Sequence, residues 1–115
     1  MQMFVLVLNR EEFLEPILEK MLENHIGGAT ILESTGMMRV LESDHNIDAP
    51  MLGLLRHYFS PERRRSKTMF TLMESQEIPK LLEIINEVTG GLDKPDTGIA
   101  FAVPTTFVEG VNQSL

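Results

Sequence analysis

The chain has 115 residues, a hydrophobic fraction of 43%, a charged fraction of 23% and a formal net charge of -7 at pH 7. A chain of this length folds around one core, which excludes an enzyme with separate cofactor and substrate domains. Its apolar runs are too short to span a bilayer, and it has no cysteine, which excludes disulfide frameworks and thiolate chemistry. We therefore expect one globular domain, residues 1–115, in the cytoplasm.

The charge is unevenly distributed. Five of the ten basic residues lie between positions 56 and 67, where Glu62 is the single acidic residue, so this segment carries +4 against -7 for the whole chain. An acidic protein repels nucleic acid and anionic membranes. The basic segment therefore suits a compact anion or an acidic patch on a partner protein, although a solvated loop kept soluble by its charge is an equal alternative.

The hydrophobic pattern predicts four strands and two helices. Two apolar stripes at helical spacing predict helices that begin near Glu12 and Ser75, and a pair of glycines ends each one. Pro16 delays or kinks the first helix, and Ser75 is the expected N-cap of the second. The strands are predicted at 3–8, 29–34, 67–73 and 99–103, with a short edge strand at 107–108.

This order of elements predicts an α+β fold of the ferredoxin-like, split βαβ type: a four-stranded antiparallel sheet with two helices on one face. Residues 36–66, where no pattern persists, form a long insertion between the second and third strands. Such an insertion either folds back onto the body or presents a surface to a partner.

The first and last predicted strands are apolar without alternation, so both faces of the sheet should be buried. Two helices cover only one face, and the chain has no third helix to cover the other. We expect the sheet of another copy to cover it. We therefore expect a homo-oligomer with binding sites in the clefts between subunits.

Catalytic constellations are scarce, and we do not expect an enzyme. The sequence has no phosphate-binding P-loop, nucleophile elbow or dinucleotide fingerprint. Asp44, His45 and Asp48 form the best metal-like cluster, although an acidic loop with one histidine is usually a solvated turn. Glycine-bearing turns at 36–39 and 89–98 could hold an anion through backbone amides, and Met37 and Met38 could contact a planar ligand.

Two segments carry a resemblance to a known family. Residues 28–36 read GATILESTG, which is similar to the second strand and the start of the large T-loop of the PII signalling family. Residues 89–101 resemble the family's B-loop and the strand after it, and the order of elements corresponds over nearly the whole chain. The chain departs from the family at Met38, where a glycine is usual, and at Ile99, where the family has a phosphate-binding lysine. It also lacks the paired arginines after the last strand.

The resemblance implies a homotrimer that binds an adenine nucleotide such as ATP or ADP between subunits. It also implies signal transduction in nitrogen or carbon metabolism, with the T-loop, here 36–66, reaching a partner protein. The arginines and the lysine at the two ends of this loop are then the cations available to a small anionic ligand. The candidate ligand-binding residues are Thr30, Gly36, Met37, Met38, Arg39, Arg63, Arg64, Arg65, Lys67, Thr89, Gly90 and Gly98.

Two other classes of function remain open. A CutA-like trimer of the same topology would have a structural role or bind a metal through His45, Asp44 or Asp48. A small ferredoxin-like isomerase or oxygenase would need a deep apolar pocket with an acid or base inside the monomer, and no residue is an obvious candidate for that role.

Overall fold

The computed structural model describes residues 1–37, 40, 41, 50 and 65–111. Its strands are β1 (Gln2–Leu8), β2 (Thr30–Thr35), β3 (Arg65–Met73) and β4 (Gly98–Pro104), and its helices are α1 (Leu14–Glu23) and α2 (Ile78–Thr89). The strands form one antiparallel sheet in the order β2-β3-β1-β4. The predicted α+β class, with four strands and two helices, is confirmed, and the topology is compatible with the ferredoxin-like fold.

Each helix begins with a short 3-10 turn. The first turn spans Glu11–Phe13, and Pro16 is the third residue of α1, where its missing N–H would have no partner within the helix. The expectation of a late helix start is therefore confirmed. The predicted cap at Ser75 is wrong, because this residue begins the second 3-10 turn and its hydroxyl accepts a hydrogen bond from Gln2 Nε2 at 2.7 Å.

The core lies between the two helices and one face of the sheet, which we call the inner face. Its buried side chains are Phe4, Leu6, Leu8, Ile17, Met21, Met69, Met73, Leu81, Ile84 and Ile85. Leu22, predicted in the buried stripe of α1, is 65% exposed. The reason is geometric, since Leu22 points about 100° away from the buried Met21 that precedes it.

Two predicted boundaries need correction. Strand β3 begins at Arg65, so the insertion between β2 and β3 is 36–64 rather than 36–66. Residues 105–111 contain no strand, contrary to the prediction for 107–108. The N–H and the hydroxyl of Thr105 both donate to the carbonyl oxygen of Met1, at 3.3 and 2.9 Å. The chain therefore runs past the first residue of β1. The described residues after Thr105 lie beyond that strand and do not pair with it.

The other face of the sheet, which we call the outer face, is also apolar. Its apolar residues are Met3, Val5, Val7, Leu32, Phe70, Leu72, Ile99, Phe101 and Val103. The register places Val5 between Phe70 and Phe101, while Ile99 and Phe101 are 60% and 46% exposed. Both described helices pack on the inner face, and none of the described helices is long and apolar enough to cross a membrane.

Gly98 allows β4 to lie close against β1. A Cβ atom at this position would overlap the carbonyl oxygen of Val7, a backbone atom that cannot rotate away. We expect Gly98→Ala to lower the free energy of unfolding by about 1–3 kcal/mol, the usual cost of overpacking. Urea denaturation measures this, with Gly36→Ala as the control because its Cβ would meet no atom within 4 Å. Equal stability of both variants would contradict this account of β4.

Candidate functional site

Four strand ends meet at one end of the sheet, which we call the loop end. Leu8, the last residue of β1, is paired with both Lys67 and Gly98, and Thr35, the last residue of β2, is paired with Arg65. Neighbouring strands are about 4.8 Å apart, which separates the backbones of Lys67 and Gly98 by about 10 Å. The antiparallel topology therefore brings predicted site residues from both halves of the chain to the same end of one molecule.

Lys67 is already paired at the loop end. Its ammonium lies 2.6 Å from Glu33 Oε1, directly across the β2–β3 ladder. The hydrogen bond to Glu33 raises the pKa of Lys67, and the hydrogen bond from Lys67 lowers the pKa of Glu33. An anionic ligand at Lys67 would have to compete with this carboxylate, so Lys67 in this conformation holds β2 against β3.

Arg65, Gly36 and Met37 are predicted residues that are exposed to solvent where β2 ends and β3 begins. Arg65 is exposed at the first position of β3, and Met37 is 71% exposed just beyond β2. The carbonyl of Gly36 accepts a hydrogen bond from the N–H of Val40 at 3.2 Å, which turns the chain as it leaves the sheet. Among the described candidates, Arg65 is the cation with its side chain most available to an anion.

In the glycine turn after α2, most backbone N–H groups already have hydrogen-bond acceptors within the turn or the helix. The buried Thr89 hydroxyl donates to Ile85 O at 2.8 Å and accepts from Gly91 N at 3.1 Å. Gly90 adopts a left-handed conformation with φ of 83°, and its N–H donates to Asn86 O. Thr89 and Gly90 thus have structural roles in ending α2, and an anion would have to bind this turn through other groups.

Thr30 lies at the opposite end of the sheet from the other described candidates. The six-residue strand β2 separates it from Thr35 by about 17 Å. Thr30 instead lines a cavity of about 540 Å³ together with His25, Phe70 and Glu74. Within a single chain, the predicted ligand-binding set is therefore divided between two ends of the sheet.

Several predicted residues lie outside the described part of the chain. These are Met38, Arg39, Arg63 and Arg64 of the ligand set, and Asp44, His45 and Asp48 of the alternative metal cluster. Their roles stay predictions. Among the described residues, no group of three His, Asp or Glu side chains could hold a metal ion.

Arg10 is a loop-end residue that the sequence did not single out. It follows Asn9, whose N–H donates to Thr97 O at 2.9 Å and so extends the pairing of β1 with β4. The Arg10 Nε atom is buried and has no hydrogen-bond partner among the described residues. Its position two residues after a strand and before an acidic helix start was the available signal, but an isolated arginine there is also typical of a solvated surface.

A second missed feature is a group of hydroxyls on the outer face near the loop end. Ser34 Oγ lies 2.6 Å from Ser66 Oγ and accepts a hydrogen bond from Thr68 Oγ1 at 2.8 Å. These bonds link β2 to β3 across the ladder. They also mark where the apolar outer face becomes polar.

No protein-family model and no curated protein matches the chain. The PII resemblance therefore rests on the residues at 28–36 and 89–101 and on the order of the elements.

The Lys67–Glu33 pair predicts a pH-dependent coupling. Because the pKa of Glu33 is lowered on folding, its contribution is present above its ordinary value of 4.5 and is lost as the pH falls through the folded-state value. We expect Glu33→Gln to lower the free energy of unfolding at pH 7, and a double-mutant cycle with Lys67→Gln to show coupling there.

This coupling should vanish as the pH falls well below 4.5. Urea unfolding across this range measures it, with Glu19→Gln on the exposed face of α1 as the control for the loss of one negative charge. Coupling that is absent at pH 7, or that is unchanged in acid, would show that the pair does not secure β2.

Proposed function

We propose that this protein is a PII-like, trimeric regulatory protein of the cytoplasm with a signalling rather than catalytic role. It binds a small anionic ligand, with adenine nucleotides as the first candidates, in clefts between subunits. It acts on a partner protein through the 36–64 insertion, in nitrogen or carbon metabolism. The observation that carries the proposal is the apolar outer face beside a sheet end from which the long insertion leaves and returns.

The outer face supports self-association. Leu32 and Val103 are 51% and 38% exposed and extend the apolar surface around Val5 to both edges of the sheet. Burying a large apolar side chain contributes about 1.5–3 kcal/mol. We propose that a copy of the same sheet covers it, because each chain presents the same face and closed symmetry can bury the outer faces of all copies at once.

The loop end connects a ligand to the insertion. Thr35 and Arg65 are paired neighbours, so the insertion begins and ends at adjacent backbone positions. An anion bound at Arg65 would contact the residue at which the insertion rejoins the sheet. Charge-assisted hydrogen bonds to that guanidinium would favour one arrangement of the chain leaving it, which is the differential interaction that a regulatory switch requires.

A nucleotide test addresses the ligand. We expect ATP or ADP to raise the thermal unfolding temperature saturably, because a ligand that binds only the folded protein stabilises it by about 2.7 kcal/mol at 100 times its Kd. Arg65→Gln should raise the ligand concentration that gives half of the full temperature shift at least tenfold. Lys80→Gln, an exposed position in the first turn of α2, removes the same charge at the far end of the sheet and should bind as the wild type does.

Failure of ATP, ADP, phosphate and succinate to change the unfolding temperature of the wild type would overturn the ligand part of the proposal. Equal weakening by Arg65→Gln and Lys80→Gln would place the nucleotide away from the loop end.

A second test addresses the assembly. Phe101→Lys puts a charge in the middle of the edge strand β4 on the outer face, beside Val5, and should convert the assembly to 13.0 kDa chains. Leu22→Lys is the matched control, because Leu22 is also a large exposed apolar residue but lies on α1. Size-exclusion chromatography with light scattering measures the mass of each variant's assembly. An unchanged assembly in Phe101→Lys would mean that copies do not associate through the outer face.

A further inference from the structure

We draw no further inference here: the strongest candidate, the cavity of about 540 Å³ at the end of the sheet opposite the loop end, includes Thr30 of the predicted ligand-binding set and so belongs to the site already described.

Discussion

Two helices can cover only one face of a four-stranded sheet, and the rest of this structure depends on that limit. On the inner face, Ile17 and Leu81 enclose Leu6 in a core that water does not reach. The outer face is nearly as apolar, with Val5 between Phe70 and Phe101, yet α1 and α2 lie on the other side. The proposed self-association would cover this face, and it would create clefts in which a small protein can bind a ligand without a deep pocket of its own.

The same topology separates two roles among the cations of the loop end. Lys67 is tied to Glu33 and joins the edge strand β2 to β3. Arg65 is exposed where the insertion rejoins the sheet. The structural role therefore falls to Lys67, and the proposed function gives the ligand-binding role to Arg65.

Much of the fold could be predicted because the hydrophobic periodicity of a helix or strand is visible within one segment of the sequence. Strand β3 and helix α2 were recognisable from their own residues, and the order of elements then led to the topology. The site was less predictable because its properties depend on contacts between segments. The Thr89 hydroxyl is hydrogen-bonded to the backbone of Ile85 and Gly91. The Ser75 hydroxyl accepts a hydrogen bond from Gln2 and does not cap its own helix. The place of Arg10 beside Asp96 follows only from the register of β1 against β4, which no local pattern specifies.

The central claim is that the outer face is covered by other copies of the chain. Sedimentation equilibrium of the unmodified protein over a wide concentration range tests it most directly. The account predicts a single species of three times the 13.0 kDa chain mass that persists on dilution to micromolar concentrations. A mass of 13.0 kDa at every concentration would contradict it, because the apolar outer face would then be stable in water by itself.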